Sequence, residues 1–271
     1  MTSAGAMAID CAVRRHAFLH QLWRMSNSIA PAYSRVAVLG LIVAVAAALM
    51  VAGAGPAYRL QWVALGSAFE LIRWGAWLGL GALVIAVVGA WRSRQRDSQR
   101  GLTIALVAVV LSAIAFGIPF AMLQGAKRAP PIHDVTTDTA NPPRFVAVVP
   151  LRNGAPNPVD YAGEAVANQQ RTAYPDIQPV MLAMPPERAF QRALDIARSL
   201  GWDIDAAVPG EGRIEATDTT SWFGFKDDIV VRVTATADGS RIDVRSVSRL
   251  GTSDLGKNAR RVRAYLRDLK G

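Results

Sequence analysis

The chain has 271 residues, which is enough for one or two domains, and it carries a formal net charge of +9. Residues 1–125 hold 10 Lys and Arg against 3 Asp and Glu, whereas residues 126–271 hold 20 against 18. The excess positive charge therefore belongs to the first part of the chain, where it accompanies long apolar runs. This distribution indicates membrane topology and excludes nucleic acid as the reason for the positive charge.

Three runs nearly free of charge occupy residues 36–51, 74–91 and 102–123. Each run is close to the roughly 20 residues that a helix needs to cross the hydrocarbon core of a bilayer. A single buried core helix can be as apolar, but three in succession favour membrane spans. We predict a membrane domain of three transmembrane α-helices over residues 36–125, with the lipid bilayer as its partner.

The composition of these runs is typical of a membrane anchor. Trp74, Trp77 and Trp91 fall where interfacial aromatic residues belong. Ionisable or unwound positions near the middle of a span, which a transporter or channel needs, are absent from the sequence of the runs. Gly75 and Gly79 have the small-xxx-small spacing that lets another helix approach closely, and we expect packing among the three spans.

Arginines flank the predicted spans unevenly. They precede the first run and separate the second from the third: Arg14, Arg15, Arg24, Arg35, Arg92, Arg94, Arg96 and Arg100. By the positive-inside rule, the N-terminus and the second loop are cytoplasmic, and everything after residue 123 is outside. We therefore expect a multi-pass protein of the inner (cytoplasmic) membrane with an extracytoplasmic C-terminal domain.

Residues 1–35 form a cytoplasmic N-terminal segment in this interpretation. Met25 is a possible true start, because the stretch before it resembles neither a signal peptide nor a domain. His16 and His20 share one face if this stretch is helical, but two ligands without a third favour a polar helix face over a metal site. The lone Cys11 has no disulfide partner in the chain. We expect no metal and no cofactor.

The remainder of the chain divides into an arm and a domain. Residues 126–176, the arm, are rich in Pro-Pro, Asn-Pro and Gly, which predicts extended structure with one short strand at 145–149. Residues 177–271 show clear strand and helix patterns. Strands are predicted at 180–183, 202–206, 212–217 and in a hairpin turning at Asp238-Gly239, and helices at about 186–200 and 255–269. This order predicts an α+β domain, an antiparallel sheet with helices packed on one face.

The hairpin is the centre of the predicted domain. Asp238-Gly239 is a two-residue signal for a tight turn, because both central residues need positive φ. That turn would set Arg232 opposite Arg245 and Asp228 opposite Arg249. One face of the hairpin is apolar and predicted to be buried, with Ile229, Val231, Val233, Ala235, Ile242 and Val244. The other face is polar, and facing arginines need an acid or an anion between them.

Four blocks of the C-terminal half are specific enough to identify a relationship. They read IHDVTTDTANPPRF, YPDIQP, GRIEATDTTSWFGFKDD and DVRSVSRLGTSDLGKNARRVRAYL. Together they closely resemble the bacterial family catalogued as domain-of-unknown-function family 1499, over about residues 130–270. The three preceding runs are similar to the spans of its membrane-bound members. The resemblance implies an envelope protein of unestablished activity and supplies no catalytic residues.

Residues 251–258, GTSDLGKN, lie after a strand and before a helix. They match the spacing of a phosphate-binding loop except at Asn258, where a Ser or Thr hydroxyl should reach Mg²⁺. The preceding strand belongs to an antiparallel hairpin, and Asp254 adds a negative charge within the loop. We expect Ser253 or Asp254 to cap the helix, and we expect no nucleotide partner.

Three further features bear on function. Asp218, Asp227 and Asp228 can supply paired carboxylates for acid–base chemistry, with Arg232 beside them, but acids at strand ends usually face water. His133 and Asp134 point in opposite directions in an extended arm and do not form a ready dyad. The aromatic loop, Trp222-Phe223-Gly224-Phe225, either enters lipid or a partner, or covers the end of the sheet, which we favour.

These observations leave two functional hypotheses. The first is a membrane-anchored binding or assembly module that engages an anionic envelope ligand or an envelope protein. Its predicted ligand-binding residues are Arg232, Arg245, Arg249, Asp218, Asp227, Asp228 and Asp243. The alternative is an envelope hydrolase that uses Asp218, Asp227 and Asp228 with Arg232. We favour the module because the usual nucleophiles and bases are missing, while internal pairing of the charges remains open.

Overall fold

The computed structural model describes residues 34–95 and 99–271. The predictions for Cys11, His16, His20 and Met25 lie outside the described residues. Within them the chain forms two compact units, one containing residues up to 52 and 69–119, the other containing residues 53–68 and 120–271.

Three long apolar helices dominate the first half of the chain. They are α1 (Arg35–Arg59), α2 (Leu65–Gln95) and α3 (Gln99–Arg128). By length and composition, each is capable of crossing a membrane. The predicted runs lie inside these helices, and the helices extend beyond the runs at both ends because helical hydrogen bonding continues into the polar flanks.

The first unit is held together by close helix contacts at small residues. A Cβ atom on Gly75 would lie 2.8 Å from the Cγ2 atom of Val51 in α1. A Cβ atom on Gly79 would lie 3.2 Å from the Cβ atom of Ala115 in α3. The two glycines of α2 therefore face different neighbours, and the predicted packing among the three helices is confirmed.

The second unit contains a six-stranded antiparallel sheet. Its strands are β1 (Asp134–Thr136), β2 (Val180–Leu182), β3 (Asp203–Val208), β4 (Arg213–Thr219), β5 (Lys226–Thr236) and β6 (Gly239–Ser248). The order across the sheet is β1-β6-β5-β4-β3, and β2 pairs with β6 beyond the end of β1. The long strand β6 therefore has β5 along one edge and two short strands in succession along the other.

Two helices cover one face of this sheet. They are α5 (Pro186–Ser199) and α6 (Lys257–Lys270); a shorter helix, α4 (Glu164–Ala173), precedes them in the chain. The core between helices and sheet contains Phe190, Leu194, Val262, Leu266, Ile229, Val231, Ile242 and Val244. This arrangement is the predicted α+β domain with an antiparallel sheet and helices packed on one face. We call this face of the sheet the helix face and the opposite one the polar face.

The predicted hairpin register is wrong by two residues. Arg232 pairs with Asp243 and Val230 with Arg245, so the two arginines do not face each other. The turn residues are Ala237 and Asp238, neither of which has positive φ. Gly239 instead begins β6 with φ of +147°, where a Cβ atom would clash with the carbonyl of Leu182. The glycine is needed for the close approach of β2, not for the turn. Because the slip is even, every side chain keeps its predicted face.

Two smaller predictions are also corrected. Residues 145–149 form a turn leading into a short 3-10 helix, Pro150–Arg152, and not a strand, because their backbone amides bind a side chain of the sheet. Leu255 does not belong to the apolar stripe of the last helix. It precedes α6 with φ of +55° and is exposed.

Candidate functional site

The polar face of the sheet is a buried layer of charge. Glu215 on β4, Asp228 on β5 and Asp243 on β6 are fully buried, and Arg245 on β6 is nearly so. The arm lies across this face: Phe145 and Val148 pack on Val230 and Val247, with Val159 at the edge of the cluster. The sheet is therefore covered on both faces, by helices on the helix face and by the arm on the polar face.

Arg245 and Asp134 form a buried ion pair in this layer. The Arg245 Nε donates to Asp134 Oδ1 at 3.0 Å and its Nη2 donates to Asp134 Oδ2 at 2.7 Å. The same guanidinium donates to the carbonyls of Pro143 and Val159. It also lies over the rings of Phe145 and Tyr161, at 5.1 and 5.4 Å from their centroids. Arg245 thus ties β6 to three parts of the arm.

Tyr161 contributes only its ring to this arrangement. Its hydroxyl is buried and has no hydrogen-bond partner among the described residues. Burial, followed by the nearby charge of Asp134, raises the pKa of Tyr161 to about 12. The phenol therefore stays protonated at any physiological pH, with an unsatisfied donor.

Asp228 is held between two arginines. Arg249 donates through Nε at 3.0 Å and Nη2 at 2.7 Å, and Arg152 of the arm forms the second ion pair. Thr217 donates its hydroxyl to the same carboxylate at 3.0 Å. Arg249 also donates through Nη1 to the carbonyl of Leu151. Asp228 lies opposite Val247 and not opposite Arg249 as predicted, but the two side chains still form an ion pair, and both hold the arm.

Asp243 lies in a network of two acids and two arginines. Arg232 Nη2 donates to Asp243 at 2.9 Å and to Asp138 of the arm at 3.0 Å. Arg241 Nη2 donates to the same two carboxylates at 2.9 and 2.8 Å. The side chains of Arg232 and Arg241 remain 26% and 37% exposed. These two are the most accessible arginines in the ion pairs that attach the arm to the sheet.

Asp218 and Asp227 lie on the helix face, where α6 begins. Arg261 Nη2 donates to Asp218 at 2.5 Å and to Asp227 at 2.6 Å, and Lys257 Nζ is 3.4 Å from Asp218. Partial burial alone would raise the pKa of Asp218, but hydrogen bonding and charge from Arg261, with Lys257, outweigh it and lower the pKa. Asp228 faces the other side of the sheet. The three acids proposed for catalysis are therefore divided between two faces.

Glu215 binds the arm through backbone amides. Its carboxylate accepts hydrogen bonds from the amides of Val146, Ala147 and Val148, each at 3.0 Å, and forms an ion pair with Arg213. Successive amides that point at one anion form a nest, a common anion-binding arrangement. Here the anion is the domain's own side chain, so the nest serves to attach the arm.

The loop at residues 251–258 is organised by Asp254. Its carboxylate accepts hydrogen bonds from the backbone amides of Gly256, at 2.9 Å, and of Asn258. These are amides that a bound phosphate would use, and the predicted capping role of Asp254 is confirmed. Burial, with the nearby Asp227, raises the pKa of Asp254 despite these hydrogen bonds. Asn258 is buried, and its amide donates to the carbonyl of His133 and the hydroxyl of Ser248.

The aromatic loop lies at one end of the sheet, between β4 and β5. Phe223 is buried and stacks on Phe225, with ring centroids 5.0 Å apart. Both rings contact Tyr58, at 5.9 and 5.8 Å, and Arg59 Nη1 donates to the carbonyl of Ser221 at 2.6 Å. Residues 58 and 59 belong to the same compact unit as the sheet. The rings therefore pack on one another and against the last turn of α1, a contact that the sequence did not predict.

For most ion pairs that contain a predicted site residue, the sequence predicted one of the two residues but not its partner. The seven predicted residues are all in ion pairs, but several of their partners were not predicted: Asp134, Asp138, Arg152, Arg241 and Arg261. The available signal was charge balance, since the predicted polar face held more arginines than acids and the arm supplied Asp134 and Asp138. Ligand binding by the seven residues stays a prediction that this geometry does not test.

The buried carboxylates of the second unit are paired with arginine, lysine or backbone amides. Among the described residues, no group of three or more His, Cys, Asp or Glu side chains is arranged to hold a metal ion. What the fold defines is a class of protein: three helices capable of spanning a membrane, joined to an α+β domain whose charged sheet face is sealed by its own arm. Residues 134–269 match the family described as Protein of unknown function (DUF1499), and the chain belongs to that family. No curated protein matches the chain.

Proposed function

We propose that this chain is a three-span protein of the inner membrane that displays its α+β domain outside the cytoplasm as a binding or assembly module. The apolar helices support insertion, and the arginines around residues 92–100 support a cytoplasmic location for the loop between α2 and α3. Because α3 crosses the membrane once more after that loop, the residues that follow α3 lie on the extracytoplasmic side.

The observation that favours a binding module over a hydrolase is that two of the acids proposed for catalysis are buried and paired with arginines. Asp227 and Asp228 are buried and paired with arginines, on opposite faces of the sheet. A general base must be reachable by substrate and must share one site with its partners. An acid that neutralises a buried arginine meets neither condition, and removing it would leave an uncompensated charge.

The residues that best suit an anionic partner are Arg232 and Arg241. Their Nη2 atoms share Asp138 and Asp243, and among the described residues no protein acceptor takes the Nη1 atom of either guanidinium. Both side chains are partly exposed, so a carboxylate, phosphate or acidic glycan of the envelope can approach them from solvent. Arg245 and Arg249 are committed to the arm, and we assign them to stability.

Reporter fusions test the membrane arrangement. Alkaline phosphatase, which is active only outside the cytoplasm, is expected to be active when fused after Gly125 and inactive when fused after Arg96. The reverse pattern would place the domain in the cytosol and contradict the proposal.

Thermal melting of the full chain in detergent tests the anionic partner. Inorganic phosphate or an acidic oligosaccharide is expected to raise Tm, because a ligand that binds only the folded state stabilises it. Arg232→Gln and Arg241→Gln should each abolish the rise, while the remaining arginine keeps Asp138 and Asp243 paired. Arg198→Gln, which removes the same charge from an exposed position on α5, should retain it. Absence of any rise in the wild type would assign the two arginines to structure alone.

A further inference from the structure

The two ends of the sheet differ in what surrounds them. One end, the loop end, carries the aromatic loop between β4 and β5 and the exit from β6 at Arg249. The other, the turn end, carries the Ala237-Asp238 turn and the short 3-10 helix Pro209–Glu211. Exposed apolar residues at the loop end point to a function for that surface.

Both chain segments that continue from candidate membrane helices arrive at the loop end. Tyr58 and Arg59, in the last turn of α1, contact the aromatic loop. After α3 ends, the carbonyl of Pro130 accepts a hydrogen bond from Ser253 Oγ at 3.1 Å, and that of Ile132 accepts one from the Asp254 amide at 3.2 Å. All of these residues belong to the second compact unit. Helix ends of two candidate spans are therefore attached to the same end of the sheet.

Large apolar side chains are exposed on both sides of this end. On the arm side, Val149 and Leu151 are 44% and 52% exposed, and the Leu151 carbonyl is bound by Arg249. On the helix side, Leu255 is 40% exposed and holds a left-handed φ of +55°. Left-handed backbone is unfavourable for a residue with a Cβ atom, and core packing does not compensate an exposed leucine.

Cations accompany these apolar side chains. Lys226, the first residue of β5, is exposed and has no carboxylate partner among the described residues. Arg260, in the first turn of α6, is exposed and donates only to the carbonyl of Leu255. Exposed apolar side chains beside exposed basic side chains are typical of proteins that lie on a lipid surface, where the apolar side chains enter the acyl boundary and the cations meet phosphate headgroups.

We propose that the loop end is a second, peripheral contact with the bilayer that holds α1, α2 and α3. Val149, Leu151 and Leu255 enter the headgroup–acyl boundary, and Lys226 and Arg260 contact anionic headgroups. This inference rests on the proposed membrane insertion of the three helices. It adds that the domain is seated on the lipid surface by its own side chains, and not only tethered to it.

A lipid-quenching experiment tests the proposed contact between the loop end and the bilayer directly. The full chain, with Cys11→Ser to remove its single cysteine, is reconstituted in vesicles containing anionic lipid. Single cysteines are introduced by Leu151→Cys and Leu255→Cys and labelled with an environment-sensitive nitrobenzoxadiazole fluorophore. Each probe is expected to show a blue-shifted emission and to lose emission when lipids carry a nitroxide near the headgroup. Combining Lys226→Gln with Arg260→Gln should reduce that loss.

Two matched positions control the experiment. Met181→Cys places the probe on β2 near the turn end, where the native side chain is 62% exposed, and its emission should be unaffected by nitroxide lipids. Leu106→Cys places it on an exposed position within α3 and should be quenched by a nitroxide deep in the acyl chains.

The controls separate this inference from the proposed function. If Leu106 is quenched but Leu151 and Leu255 behave like Met181, the second contact is overturned and the membrane anchor stands. If the Leu106 probe is not quenched either, the membrane anchor itself fails. If the two leucine probes are shielded from aqueous iodide without quenching by lipid, a protein or second copy covers the loop end, which also overturns the inference.

Discussion

Replacing Arg245 with Gln is expected to destabilise the second unit severely. The substitution removes both charge-assisted hydrogen bonds to Asp134, the donors to Pro143 and Val159, and the contact with two aromatic rings. It leaves the buried Asp134 carboxylate without its cation. Loss of one partner from a buried ion pair costs about 3–5 kcal/mol, because the remaining charge is uncompensated.

The matched control is Arg241→Gln, on the same strand. Arg241 is 37% exposed, and Arg232 keeps both of its acids paired after the substitution. Its loss should therefore cost about 1 kcal/mol or less, as for a surface ion pair. Near-UV circular dichroism melts of the full chain in detergent compare the two variants. A cost of 3–5 kcal/mol corresponds to a fall in Tm on the order of 10 °C for a unit of this size.

Equal melting temperatures for the two variants would refute this reasoning, because they would show that the arm does not depend on the Asp134–Arg245 pair. If Arg245→Gln does not accumulate, the combined change Asp134→Leu with Arg245→Met provides a second measurement. Replacing both partners of a buried pair by apolar side chains is often neutral or stabilising. The combined variant should therefore melt closer to the wild type than Asp134→Leu alone.

Three further changes test other parts of the structure. Residues 130–271 expressed alone should unfold cooperatively in urea titrations, because the core under the helices and the cluster under the arm both lie within them. The fragment should also bind hydrophobic dyes at the aromatic loop, because that loop loses its contact with Tyr58. Because the pKa of Asp254 is raised in the fold, ionisation of its carboxylate lowers the stability of the unit as pH rises through that pKa. Asp254→Asn keeps a hydrogen-bond acceptor without the charge and should match or exceed the wild-type Tm at pH 7. Asp254→Ala removes the cap and should lower the free energy of unfolding by about 1 kcal/mol. Tyr161→Phe should raise Tm, since removing a buried hydroxyl without a partner recovers about 1 kcal/mol, and a lowered Tm would instead show that the hydroxyl is bound in solution.

The sequence predicted the elements and the faces of the sheet better than their partners. The alternation along β5 and β6 determines which side chains share a face, and that assignment survives a register slip of two residues. The register itself depended on which residue takes the turn. The freedom of glycine in φ favours a place for Gly239 in the turn, whereas the structure requires a glycine there because the carbonyl of Leu182 on β2 approaches it closely.

The covering of the polar face was outside the reach of sequence patterns. Proline, glycine and asparagine in the arm are typical of an exposed loop, and nothing in the local pattern of residues 145–149 predicts that their amides will surround Glu215. Charge on a strand likewise indicates a solvated face, since buried charges are uncommon without partners. Each local pattern is typical of exposed structure, and these residues are buried because the charges and hydrogen-bonding groups of the arm pair with those of the sheet.

The attachment of the arm also determines the order in which this unit can fold. Asp134 and Arg245 are separated by 111 positions, Arg152 and Asp228 by 76, and Val146 and Glu215 by 69. The arm is synthesised before every strand that receives it, and its three attachment points lie on three neighbouring strands. It cannot dock until β4, β5 and β6 are assembled, and closing such distant contacts is slow. We therefore expect the arm, although it is made before these strands, to become native after them, with its charged side chains hydrated until then.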